Sequence, residues 1–196
     1  MEPIEKNISN GFGHEIYVSN VRVLRPNEAK VLIKAIPKES NVTKFEALLY
    51  SGMRYVELQR LFDNPQWFNG EHIHLTKEAI KKKKIGVKER YVHLNPIGRR
   101  IIKAFLKVDK PLPSYKDWTE NLERWAKMAG IESNRLGPKT TRKTWECWLV
   151  HYYPTLTPQI FLSQGHDTLT ALKHYVNLPF NKEDKESMGE FVGGWE

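Results

Sequence analysis

The chain has 196 residues, 40% of them hydrophobic, which is enough for one sizeable core and sets the expectation at a single globular domain. Its 31 Lys and Arg against 23 Asp and Glu leave a net charge of +8, a balance suited to polyanionic partners, nucleic acid first among them. The one cysteine, Cys147, excludes an intramolecular disulfide and a thiolate zinc site, and no apolar run reaches the roughly 18 residues of a membrane span, so a soluble, intracellular protein is expected.

Residues 1–20 mix Asn7, Asn10, Gly11, Gly13 and Asn20 with few periodic apolar positions and read as a linker or a frayed start. Pro26 followed by Ala29, Val31, Leu32, Ala35 and Ile36 predicts a helix over 26–36, ended by Pro37. Asn41 or Thr43 is expected to cap a second helix lined by Phe45, Leu48 and Leu49, with Gly52 just past its C-terminus. The chain resumes helically through Val56, Leu58 and Leu61, which puts Arg54 at a helix start, directly after a turn.

Asn69-Gly70 is a turn signal, and Ile73 and Leu75 on one side with Tyr91, Val92 and Leu94 on the other predict a small antiparallel hairpin. Its connection carries Lys77, Lys81, Lys82, Lys83, Lys84 and Lys88, placed either to touch a polyanion or to serve as a solvated loop. Pro96 opens a helix carrying Ile97, Ile101, Ile102, Phe105 and Leu106, broken by Pro111 and Pro113. Trp118, Leu122, Trp125 and Met128 recur at helical spacing and read as core positions of a helix over 115–129, stopped by Gly130. A base-stacking role for the tryptophans is the alternative.

Thr140 or Thr141 begins a helix that turns Trp145, Trp148 and Leu149 inward and ends at Tyr152-Tyr153-Pro154. Thr157-Pro158 starts another with Ile160, Phe161 and Leu162, ended by Gly165, and Asp167 or Thr168 is expected to cap the next. After Pro179 the segment 181–196 is polar except for Phe191, Val192 and Trp195; it reads as a flexible tail, with docking on a neighbour as the alternative. The chain has no HExxH, GxSxG, CxxC or glycine-rich phosphate loop, which argues against metalloproteases, serine hydrolases and thioredoxin-like enzymes.

One constellation remains. Lys139 and Arg142 lie three apart, His166 follows 24 later and Tyr175 nine beyond that: cations, an imidazole and a phenol, the groups phosphodiester chemistry uses. Two guanidinium forks can hold the non-bridging oxygens of a pentacoordinate phosphate without losing their own charge. Arg54 and Arg142 suit that role, and structural salt bridges to Glu57 and Glu146 are the alternative.

Taken in order, Ser51-Gly-Met-Arg54-Tyr-Val-Glu57-Leu58, the basic hairpin ending Lys88-Glu-Arg-Tyr-Val-His-Leu94, Lys139-Thr-Thr-Arg142, Gly165-His166 and Tyr175 resemble the tyrosine recombinases, the phage-integrase family, over about residues 22 to 180. The resemblance implies an α+β, mainly α fold: a helical catalytic domain over 21–180 with a small antiparallel sheet, between a linker at 1–20 and a tail at 181–196. It implies site-specific cutting and rejoining of DNA through a covalent 3′-phosphotyrosine. Tyr175 would be the nucleophile, Arg54 and Arg142 the phosphate clamp, and His166 a partner of a non-bridging oxygen or a sharer in proton work. A hairpin lysine would protonate the departing 5′-oxygen; Lys83 and Lys84, just before Gly86, lead, with Lys81, Lys82 and Lys88 open. Tyr152 and Tyr153 rival Tyr175 by residue type alone.

The resemblance further implies no metal or nucleotide cofactor, double-stranded DNA attachment sites as partners, self-association as a tetramer on DNA, and residence in the cytoplasm or nucleoid of a host cell. Lys139, also counted in the catalytic set as a cation or base for Tyr175 beside Arg142 and His166, departs from the pattern, since most members carry His there; the variant is similar to integrases of some archaeal viruses and plasmids. The family's N-terminal core-binding domain has no counterpart here, so a catalytic fragment or a shortened natural form is expected. A type IB topoisomerase-like enzyme and a decayed DNA-binding module are the alternatives.

Overall fold

The computed structural model describes residues 13–77, 89–166, 175 and 178–195. Two short antiparallel hairpins flank a set of helices: β1 (Ile16–Val18) pairs with β2 (Val21–Val23), and β3 (His72–Leu75) pairs with β4 (Arg90–His93). The helices are α1 (Pro26–Ala35), α2 (Glu39–Ser51), α3 (Tyr55–Asp63), α4 (Pro96–Phe105), α5 (Tyr115–Met128), α6 (Thr140–Tyr152), α7 (Thr157–Gln164) and α8 (Lys182–Val192). This mainly helical α+β architecture is the one the sequence predicts.

Helix α6 is the hub. From Thr144 to Val150 every side chain is buried, and α2, α7, α8 and β2 all pack against it. A helix apolar on all sides can be satisfied only in the interior, and Trp145, Cys147, Trp148 and Leu149 supply that character. Trp148 Nε1 donates to Leu24 O at 3.0 Å, and Thr144 Oγ1 accepts from Leu24 N at 3.0 Å, so the end of β2 is fixed to the hub.

Local chemistry starts the helices where the sequence predicts. Asn95 Oδ1 accepts from Gly98 N at 2.8 Å ahead of α4, and Ser114 Oγ accepts from Asp117 N at 3.1 Å ahead of α5. Helix α2 differs: it begins at Glu39, and Thr43 sits inside it, returning its hydroxyl to Glu39 O at 3.1 Å. The chain turns helical once clear of Pro37, before either Asn41 or Thr43 can cap it. Met128 is also a correction, being 59% exposed; as the last residue of α5 it projects past the elements that cover Trp118, Leu122 and Trp125.

Both ends of the chain correct the reading further. Residues 16–18, read as part of a linker, form β1, whose Ile16 and Val18 are core residues. The turn uses Ser19 and Asn20, both at positive φ, a two-residue loop whose twist suits a hairpin. Three-residue strands are too short to show alternation against surrounding Gly and Asn.

The segment read as a flexible tail forms α8, which buries Met188, Phe191 and Val192, with Trp195 buried just beyond. Asn181 Oδ1 accepts from Asp184 N at 2.7 Å and Asp184 Oδ2 accepts from Asn181 N at 3.0 Å, a reciprocal cap at its start. Gly189 lies against Tyr152, close enough that a Cβ would come within 3.0 Å of the phenol oxygen. A glycine in mid-helix reads as a break in sequence, yet here it permits close packing. Arg25 then ties the two ends together, pairing with Asp184 and donating to His14 O at 3.0 Å and Pro179 O at 3.1 Å.

Candidate functional site

Arg142 stands in the first turn of α6, 6% exposed, and its guanidinium is held from three directions. Nη1 donates to Gly52 O at 2.8 Å and to Gln164 Oε1 at 3.1 Å, while Nη2 donates to Gln164 O at 2.5 Å. Each acceptor exists because a helix ends there. Gly52 closes α2 at φ +59 and turns its carbonyl toward α6, and Gly165 closes α7 at φ +69. The cap after α7 is a two-bond motif: Gly165 N donates to Leu162 O at 3.0 Å and His166 N to Phe161 O at 2.9 Å, which sets His166 beside Arg142.

At the centre lies Glu146, one turn along α6 and fully buried. Its Oε1 meets His166 Nε2 at 2.5 Å and Arg142 Nη2 at 3.1 Å; its Oε2 accepts from Tyr175 Oη at 2.6 Å and from Lys143 Nζ at 3.3 Å. His166 Nε2 also lies 3.2 Å from Arg142 Nη2, but one nitrogen cannot both donate to the carboxylate and accept from the guanidinium. The shorter contact assigns the proton: Nε2–H donates to Glu146.

Tyr175 is 2% exposed. Lys143 Nζ hydrogen-bonds its hydroxyl and sits 5.0 Å from its ring centroid, and the Phe161 ring packs 5.7 Å away. The structure therefore gathers Arg142, His166 and Tyr175 around one carboxylate, that of Glu146. It sets Lys143, rather than Lys139, against the phenol. Lys139 is exposed at the N-cap of α6, where its carbonyl accepts from Lys143 N at 3.0 Å, and its side chain makes no hydrogen bond or ion pair with the described residues. Tyr152 and Tyr153 face α8 instead, Tyr153 Oη donating to Val192 O at 3.3 Å.

Arg54 is the N-cap of α3, as predicted, with a half-exposed side chain. Buried Glu57 joins it to the rest: Oε1 accepts from Arg54 Nη1 at 2.7 Å, and Oε2 accepts from Arg54 N at 2.9 Å and from Arg90 Nη2 at 2.8 Å. Arg90, buried on β4, donates its Nε to Ser163 O at 3.1 Å and fills the space beside Gly165. Both salt bridges anticipated as alternatives, Arg54 to Glu57 and Arg142 to Glu146, are thus present within one charged cluster. Lys83 and Lys84 lie outside the described residues.

The electrostatics follow from burial and proximity. Burial by itself would raise the Glu146 carboxyl, but Arg142, the His166 hydrogen bond and Lys143 outweigh it and hold the group well below the usual carboxylate range. Burial first, then the Glu146 carboxylate, push the Tyr175 phenol far above its ordinary value. Burial also lowers Arg142; Glu146 opposes that shift, while Arg54 and Arg90 add to it. Glu57 resists burial in the same way, lowered by Arg90 and Arg54. The cluster is a set of cations closed around two carboxylates and a phenol, an arrangement that an incoming phosphate can reorganise by taking the cations to itself.

Glu146, Lys143, Gln164 and Arg90 are the members the sequence did not single out for the site. The one available signal was a carboxylate inside the apolar run Trp145-Glu-Cys-Trp148, where a charge demands a partner.

This fold is that of the tyrosine recombinase catalytic domain. A solved structure of XerA recombinase superposes with a TM-score of 0.60 at 20% identity, covering 86% of this chain and 64% of that one. XerH site-specific recombinase bound to its difH substrate in a pre-cleavage complex superposes with a TM-score of 0.53 at 18% identity, covering 87% of this chain and 54% of that one. The chain thus spans less than two thirds of either recombinase. No family model matches it, and no curated protein matches it in sequence.

Proposed function

We propose that this chain is the catalytic part of a site-specific DNA recombinase, cutting and rejoining strands through a 3′-phosphotyrosine on Tyr175. The observation that carries the reading is a buried phenol bonded to Lys143 and Glu146, with Arg142 and His166 on the same carboxylate and half-exposed Arg54 bonded to Glu57. Arg142 and Arg54 would receive the non-bridging oxygens of the scissile phosphate, and His166 would add a hydrogen bond to one of them. Lys139, exposed at the start of α6, suits a contact to the DNA backbone. Protonation of the leaving 5′-oxygen falls to a hairpin lysine, Lys83 or Lys84.

The net charge of +8 supports DNA as the partner, and the pre-cleavage complex of XerH is a recombinase of the same fold on its DNA. Exchange between two duplexes breaks four strands, so four protomers acting together is the assembly this reading implies. With Lys139 in place of His, integration of a viral or plasmid element is the biological setting it favours.

The test is a nicked suicide duplex that traps the covalent intermediate. The protein should give a protein–DNA band stable to SDS, and Tyr175→Phe should still shift DNA in a native gel without forming that band. A band retained in Tyr175→Phe would refute the assignment.

A further inference from the structure

The proposed reaction leaves Glu146 without a task, yet its carboxylate joins His166, Tyr175, Arg142 and Lys143. Its Oε2 is 2.6 Å from the hydroxyl that would attack and its Oε1 is 2.5 Å from His166. A carboxylate so deeply buried carries a heavy desolvation cost that pairing only partly offsets, so a bystander role is an expensive one. Building on the nucleophile assignment above, we infer that Glu146 is a catalytic residue, the general base that takes the Tyr175 proton as the phenol attacks phosphorus.

The step balances as follows. The Tyr175 O–H bond breaks and its proton passes to Glu146 Oε2 as the Oη–P bond forms. The P–O5′ bond breaks, and O5′ leaves with the electron pair and takes a proton from a lysine ammonium. On rejoining, the 5′-hydroxyl returns its proton to the lysine amine as O5′ attacks phosphorus, the Oη–P bond breaks, and Glu146 gives its proton back to the leaving Tyr175 oxygen.

The resting cluster explains how so weak a base becomes competent. The groups facing the carboxylate are Arg142 and Lys143 from its own helix, His166 from the turn after α7, and Tyr175, with the thiol of Cys147 adjacent in sequence. The cations alone keep the carboxyl low against the pull of burial. A scissile phosphate that drew Arg142 and His166 onto its own oxygens would remove that restraint, and burial would then raise the proton affinity of Glu146 at the moment the phenol must lose its proton. The base is switched on by the substrate's charge, and before DNA arrives the phenol stays protonated and inert.

Glu146→Gln keeps the shape and a hydrogen bond to Tyr175 but cannot accept a proton. The rate of adduct formation on the suicide duplex should fall on the order of 100-fold near neutral pH, a typical general-base contribution. The wild-type rate should vary little between about pH 6 and about pH 9, whereas the variant's should climb with pH as solvent replaces the missing base. A 5′-bridging phosphorothiolate, whose sulfur leaves without protonation, should not restore the variant, because the defect lies on the nucleophile's side.

A variant with the wild-type rate and pH profile, a faster one, or one restored by the phosphorothiolate would each overturn the proposal. Should Glu146→Gln fail to bind DNA, Glu146→Asp takes its place: it must keep the flat wild-type profile at reduced rate, and a climbing profile would refute the role. Absence of any adduct with the wild-type protein would instead refute the recombinase reading itself.

Discussion

Gly52 is the position where fold and site depend on the same atom, and Gly52→Ala is the sharpest test of the geometry. The residue adopts φ +59, a region costing an alanine about 1 to 2 kcal/mol. A Cβ there would lie 2.6 Å from Trp145 Cδ1 and 2.7 Å from Gln164 Oε1, both buried, so neither neighbour can yield freely. Overpacking of this kind costs about 1 to 3 kcal/mol. The sum, about 2 to 5 kcal/mol, corresponds to a melting temperature lower by roughly 4 to 20 °C for a chain of this size. Since Gly52 O accepts from Arg142 Nη1, and Gln164 also holds Arg142, adduct formation below the melting range should fall as well, while DNA retention in a native gel persists. Thermal melts followed by circular dichroism, alongside the suicide-duplex assay, measure both. A variant that melts with the wild type would show that α2 does not end in the left-handed turn that aims this carbonyl.

Arg142→Lys keeps a charge but cannot reach both Gly52 and Gln164 while presenting a fork, so adduct formation should fall on the order of 100-fold, and an unchanged rate in the same assay would contradict the clamp role. Glu57 has its carboxyl lowered from 4.5 by Arg90 and Arg54, so its stabilisation is complete above that value and is lost as pH falls through the lower folded value. Glu57→Gln should therefore lower stability at neutral pH by about 3 to 5 kcal/mol and flatten the acid limb of a denaturant-midpoint titration; an acid limb of unaltered slope would refute the shift. In the proposed mechanism arginines supply the positive charge and a tyrosyl phosphate conserves the energy of the broken bond, so chelation of divalent ions should leave adduct formation intact, and its abolition by EDTA would count against the mechanism.

Where a signal is local, the sequence carried it. Gly52, Gly165, Pro96 and the Asn69-Gly70 turn each marked an element boundary, because backbone geometry at such points is set by one or two residues. The candidate constellation was legible for a different reason: Arg54, Arg142 and His166 sit at helix starts and stops, so local boundary signals place them along the chain. Glu146 was not legible, since its meaning comes from His166 and Tyr175, 20 and 29 positions away. Lys143 carries no sequence signal that separates it from the other lysines, whereas Lys139, one turn earlier on the same helix face, falls within the family motif. At the C-terminus, the polar residues of 181–196 concealed a docked helix, because the few apolar positions Met188, Phe191 and Val192 show their purpose only once the helix packs on α6.

The wiring of Arg142 and Arg90 bears on the order in which the protein acquires its activity. Arg142 is held by residues 90 positions earlier and 22 later, and Arg90 by residues 33 earlier and 73 later. Contacts so distant in sequence form only after loop closure has brought the ends of α2, α6 and α7 together with β4, and such closures are slow compared with helix formation. A nascent or partly folded chain can hold nearly all its helices and still lack the cationic pocket. Under the proposed function, the capacity to cleave DNA would arrive only with these late closures, after most of the helices have formed.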